Sequence, residues 1–410
     1  MRAPARAAAV LLLSAATHAG AAAPDPLQPP DLSRYLRWGP VRIRPSVQFS
    51  NFGYDTNVFY RAGDEPLVGD WTATISPRAD GLVLFGHRAF LTFREQLDGV
   101  LFAKYSEISY LDQRGSGRFT VPFSHVGLFT EVTINHIHER ATSELDARPQ
   151  RNENRLALGV IVPLGWRTRI ELSQTGSTWR YDDDLSQCPT GGNCLPIDFL
   201  LDRTETGRDL KATYLLRGRT SLTLDVSTRD IEFEQQTIRD SHDRRILPGI
   251  ELGPGGGLQG KLRLGEARID SLDARLPDFA GMVGNAQAVW SPAGRTRFTL
   301  NALRDVSFAA WSGNQFYVNW QGELRAVHWM TRSFGLEGGA LTGRLRFSDA
   351  DRVDSVMQYE AGIRFRLAEN SLGRRIEYSL LARRFRRDSA PDDSLDQSRG
   401  SIGFGAILGY

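Results

Sequence analysis

Two histidines, His136 and His138, alternate along Asn135-His136-Ile137-His138-Glu139, and alternation places both imidazoles on one face of an extended chain, as a metal pair requires. No third ligand is spaced with them, and a closed or catalytic zinc shell needs at least three protein donors. Polarity at the rim of a strand accounts for the pair more simply. Cys188 and Cys194 enclose Pro-Thr-Gly-Gly-Asn, a loop short enough for a disulfide in an oxidising compartment, whereas two thiolates alone do not fill a tetrahedral zinc shell. The run Gly253-Pro254-Gly255-Gly256-Gly257 lacks the Lys-Ser/Thr that completes a phosphate loop and reads as a turn between strands. A serine hydrolase assembles its triad in space, and no local motif marks one here. Neither an enzyme nor a bound cofactor is expected.

What remains is electrostatic chemistry. Arg94, Arg169, Lys211, Lys261, Arg263, Arg297, Arg325, Arg364, Arg366, Arg375 and Arg383 are interspersed with carboxylates that include Glu323 and Glu360. Guanidinium forks bind carboxylates and sugar hydroxyls, and a cation excess along one surface attracts anionic solutes. The same residues can also pair with one another and only stiffen a wall.

The elements that carry these residues are extended throughout. In Met357 to Leu367, Met357, Tyr359, Ala361, Ile363, Phe365 and Leu367 occupy one face while Gln358, Glu360, Gly362, Arg364 and Arg366 occupy the other. Phe316 to Arg325 and Leu156 to Leu164 alternate in the same way. Such stretches recur from about residue 41 to the end, and they are longer than the five or six residues of an average strand; a tilted membrane-spanning strand takes about nine to eleven. Counting them predicts an all-β fold, a transmembrane antiparallel up-and-down β-barrel of about eighteen strands. The greasy face then meets lipid, and the polar face, with the cations named above, lines the lumen.

Composition agrees. The chain has 410 residues, 41% hydrophobic and 24% charged, with a net charge of +2; this excludes disorder and a polybasic nucleic-acid binder. Beyond the N-terminus no apolar run approaches the roughly 20 residues of a spanning helix. Residues 1–23 read as a cleavable secretory signal, with Arg2 and Arg6, the apolar run from Ala7 to Ala16, and small residues around Ala19-Gly20-Ala21. Residues 24–40 follow as a periplasmic segment and 41–410 as the barrel. Short links after even-numbered strands, such as Gly86, Gly165-Trp166 and Arg217-Gly218, alternate with longer polar ones, such as Asp55 to Gly69 and Tyr181 to Leu200. In outer-membrane barrels the short turns are periplasmic, which puts Cys188 and Cys194 on an extracellular loop whose shape a disulfide would hold. The expected location is the outer membrane of a Gram-negative bacterium, with the lipid bilayer as first partner.

The last strand, with Ile402, Phe404, Ala406, Leu408 and Tyr410 in alternation, resembles the C-terminal signal read by the barrel-insertion machinery. Gly405, Leu408 and Tyr410 match its glycine, apolar and terminal aromatic positions, while Gly403 stands where a polar residue is usual. The opening stretch, Trp38-Gly39-Pro40-Val41-Arg42-Ile43-Arg44-Pro45-Ser46, then Gly53-Tyr54-Asp55-Thr56-Asn57-Val58-Phe59, Asp70-Trp71 and Ile75-Ser76-Pro77, resembles the β-barrel porin family found with exopolysaccharide and capsule biosynthesis loci. The resemblance is specific over residues 38 to 85. It implies a passive conduit for exopolysaccharide export that receives polymer from a periplasmic polysaccharide export protein. A general diffusion porin with mild anion preference is the alternative, and it predicts a constriction made by the loop at 181 to 200. A surface-facing outer-membrane hydrolase is the third reading.

Overall fold

The computed structural model describes residues 26–30, 35–63, 65–86, 88–138, 148–181, 186–187, 195–310, 315–348, 351–367 and 375–409. The expected secretory signal over 1–23, Cys188, Cys194 and Tyr410 lie outside the described residues, and of Arg375 only the backbone is described. Eighteen long strands follow one another in the chain: β1 Val41–Asp55, β2 Asp70–Phe85, β3 Ala89–Phe102, β4 Tyr110–Pro122, β5 Gly127–His138, β6 Gln150–Leu164, β7 Thr168–Tyr181, β8 Arg203–Arg217 and β9 Thr220–Phe233. The second half comprises β10 Ser241–Leu252, β11 Leu258–Ser271, β12 Phe279–Ala293, β13 Thr296–Phe308, β14 Phe316–Trp329, β15 Phe334–Phe347, β16 Val353–Arg366, β17 Arg375–Ala390 and β18 Gln397–Gly409. Each pairs antiparallel with its sequence neighbours, and β18 returns to pair with β1 from Ser46↔Gly409 to Asp55↔Ser401. The sheet is a closed barrel of eighteen strands with no free edge.

One face of every strand is apolar and exposed. Tyr214 and Leu216 on β8, Leu222 and Leu224 on β9, and Leu262 and Leu264 on β11 all project outward. So many exposed aliphatic side chains in a continuous band are stable only against lipid. No described helix is long and apolar enough to cross a membrane. The expected strand bounds hold closely, with one correction. β4 begins at Tyr110 and not at residue 114, because Leu111 faces outward and Asp112 inward, extending the alternation through a stretch whose polarity hides it.

The seam between first and last strands has its own devices. A bulge between Phe49 and Phe52 shifts the register of β1 against β18, with Asn51 at φ 53°; asparagine tolerates that left-handed backbone better than most residues. Below the last β18 pair, a short strand Leu36–Trp38 takes up the same edge of β1, with Leu36 opposite Ile43. Gly53 sits where β18 comes so close that a Cβ would lie 1.9 Å from the Ile402 carbonyl oxygen. The short turns use glycine for positive φ at Gly86, Gly165 and Gly218. These turns mark the periplasmic end, and both the first and the last strand have their outer termini there.

Candidate functional site: the lumen and its mouth

The inward face carries the charged residues, and cross-strand register decides which of them meet. Glu360 on β16 stands opposite Arg383 on β17 and is held by Arg383 Nε at 3.3 Å and by Arg325 Nε of β14 at 2.8 Å. Glu323 takes a second arm of Arg325 at 3.1 Å. Arg364 bridges Glu337 and Glu377 at 2.6 and 2.5 Å. Past β18 and across the seam, Arg94 of β3 joins Arg44 and Arg78 around Asp80 at 2.7 to 3.0 Å, and farther round the wall Arg263 of β11 pairs with Asp225 of β9 at 2.7 Å. Arg366 donates to the Arg332 carbonyl and lies 4.0 Å over the Trp329 ring at the periplasmic end. Much of the charge expected along the lumen is therefore spent within the wall.

Three cations stand apart. Arg169, Lys211 and Lys261 form no ion pair among the described residues, and they sit on the inner faces of β7, β8 and β11. Lys211 lies opposite Glu171 and Asp225 in register, yet those carboxylates are engaged by Arg118 and Arg263. Lys261 lies opposite Glu251 and Gln287. Arg297 occupies the inner face of β13 opposite Val327.

The extracellular mouth is packed. The helix α1, Ile197–Leu201, buries Ile197, Leu200 and Leu201 against Tyr181 and against Ala310 beyond the end of β13. The knot that holds it is Arg239, only 6% exposed. Its Nη1 donates to the Leu200 carbonyl at 2.8 Å, its Nη2 to the carbonyls of Ala309 and Gln315 at 2.7 and 3.0 Å, and its Nε to Gln315 Oε1 at 3.2 Å. Phe233 at the top of β9 and Phe308 at the top of β13 meet edge to face at 5.0 Å, with the guanidinium over both rings. Three strands separate β9 from β13 in the wall, so this contact spans a sector of the opening. Beside it, Tyr317, Leu341, Leu345, Phe347 and Val356 pack together on the inner side of β14 to β16. Asp202, at the C-terminal end of α1, accepts from the Tyr181 N–H at 2.8 Å; burial outweighs that bond and pushes its carboxyl up to about 6.

The opening motif has a structural job at the seam. Asn57 is fully buried, donating from Nδ2 to the carbonyls of Arg61 and Ser398 at 2.9 and 3.1 Å and accepting from the Arg61 N–H at 2.9 Å. Asp55 accepts from Arg399 of β18 at 2.7 Å and from the Asn57 N–H at 3.0 Å. His136 and His138 do share a neighbourhood, with rings 5.9 Å apart. Each already has a partner, His136 in Asn152 and His138 in Asp112 at 3.0 Å. Gly405 lies opposite Ser379, and Leu408 opposite Val47 and Ile376. Sequence reasoning missed Arg239, since nothing local distinguishes it from other loop arginines.

A family model described as Putative beta-barrel porin 2 matches residues 36–404. No curated protein matches. Among solved structures, OccK2 (OpdF) of Pseudomonas aeruginosa is similar at 11% identity, covering 90% of this chain and 98% of that one with a TM-score of 0.49; it has also been solved in complex with glucuronate. OccAB3 of Acinetobacter baumannii is similar at 8% identity, covering 90% and 99% with a TM-score of 0.48.

Proposed function

Because the chain belongs to the Putative beta-barrel porin 2 family, and is thus a porin of the Gram-negative outer membrane and a channel rather than an enzyme, we propose that it passes small anionic solutes through a constricted lumen. The family sets aside the surface-hydrolase alternative. The observation that carries the reading is the packed mouth, in which α1 and Arg239 join the tops of β7, β9 and β13; an opening narrowed in this way suits small solutes better than a polymer. The cations Arg169, Lys211 and Lys261, which form no ion pair among the described residues, supply the preference for anions, because a fixed charge in a low-dielectric passage raises the local concentration of counter-charged solute. The test is the reversal potential of the reconstituted channel across a salt gradient. Anion preference is expected in the native protein, and Lys211→Gln with Lys261→Gln should lower the anion-to-cation permeability ratio at least about twofold. Cation preference in the native channel would refute the reading.

Export of exopolysaccharide is the second reading, supported by the opening motif from Trp38 to Pro77. The polymer would arrive from a periplasmic export partner and pass without covalent chemistry. An in-frame deletion, with secreted polysaccharide quantified against a complemented strain, separates the two: loss of polymer favours export, and unchanged polymer with slower uptake of small anions favours the narrow channel.

A further inference from the structure

The outward face is apolar in its periplasmic and central parts, but toward the extracellular end of β13 to β17 it turns basic. Arg304 on β13 stands opposite Trp320 on β14, and Trp320 opposite Arg344 on β15, so one row across three strands reads Arg-Trp-Arg. Trp320 is exposed on the lipid side. Arg346 lies two residues above Arg344, while Arg384 and Arg386 on β17 face outward beside Tyr359 and Met357 of β16. Arg346, Arg384 and Arg386 are exposed. Beneath them the same faces carry Leu300, Leu324, Leu336, Ile363 and Leu380, which places the arginines at the outer edge of the apolar band.

Such a concentration of charge needs an anion, and this face does not hold enough. Asp388 is the single carboxylate on the outward face of these five strands among the described residues, and it is taken by Arg386. Arg304 donates to the Met282 carbonyl. At this depth the available anion is a headgroup phosphate. Arginine forks match phosphate oxygens, and tryptophan settles at the boundary between acyl chain and headgroup.

We propose that the outer face of β13 to β17 binds a phosphorylated lipid of the outer leaflet, with Arg344 and Arg346 on the phosphate and Trp320 along its acyl stem. The full-length protein in detergent is titrated with a bisphosphorylated diglucosamine lipid, its dephosphorylated counterpart, and inorganic phosphate, and bound lipid is read by native mass spectrometry. The phosphorylated lipid should bind and the dephosphorylated one should not. At about 1 kcal/mol per arginine, Arg344→Gln with Arg346→Gln should weaken binding about thirtyfold. Arg208→Gln, outward on β8 away from the patch, should leave it unchanged. Where the first pair fails to insert, Arg346→Gln with Arg384→Gln, both exposed, gives the same reading. Equal binding of the dephosphorylated lipid, an unchanged constant in the variants, or equal competition by inorganic phosphate would overturn the proposal. So would a shift in oligomeric mass on mutation, which would assign the patch to a second copy of the chain.

Discussion

At the scale of single residues, Asp202 shows how a buried carboxylate couples the mouth to proton concentration. Its folded-state value, about 6 against an ordinary 3.8, means that the folded chain holds the proton more tightly than the unfolded chain does. Its favourable contribution is complete below the ordinary carboxylate range and is lost as pH rises through about 6. Amides of residues 195 to 202 should therefore exchange more slowly at about pH 5 than at about pH 7.5, once intrinsic rates are corrected. Asp202→Asn keeps an acceptor for the Tyr181 N–H and should abolish the difference. None of this is visible in the sequence, where Asp202 is one aspartate among several in a polar connection; its environment comes from Leu200, Leu201 and Tyr181 closing around it.

At the scale of elements, the strands were legible because their physics is local. Alternation is written residue by residue, and the bilayer fixes how long each stretch must be. Cross-strand pairing is less local. That Arg325 and Arg383 share Glu360, while Lys211 finds its opposite carboxylates already occupied, depends on register across several strands, which the polar face of one strand does not encode. The diffusion-porin reading places its constriction in the connection after β7, and helix α1 within that connection packs against Tyr181 and Ala310. What holds it, Arg239, lies between β9 and β10 and reaches carbonyls at Leu200 and Ala309. Replacing residues 182 to 201 with a short Gly-Ser turn should raise single-channel conductance at least about twofold, measured in planar bilayers, while leaving barrel assembly intact. Unaltered conductance would place the narrowest point deeper in the lumen.

At the scale of the whole molecule, stability rests on closing the sheet. The seam joins residues more than three hundred positions apart, as in the bond from Asn57 to the Ser398 carbonyl and the pair of Asp55 with Arg399. Asn57→Ala removes three hydrogen bonds from a buried site and should destabilise the barrel by about 3 kcal/mol, read as a lower urea midpoint for loss of the compact form on gels. The short strand Leu36–Trp38 continues that seam past the end of β18. This arrangement sets an order of events during biogenesis. β1 is the first barrel strand made, and its partner β18 is the last, so no part of the chain can reach a closed state while synthesis or secretion is still under way. Until the final residues arrive, both edges of a long hydrophobic sheet are open to any other strand. A nascent chain of this design must be kept apart from its neighbours by escorts in the periplasm, and C-terminal truncations of even one strand should yield aggregates instead of smaller pores.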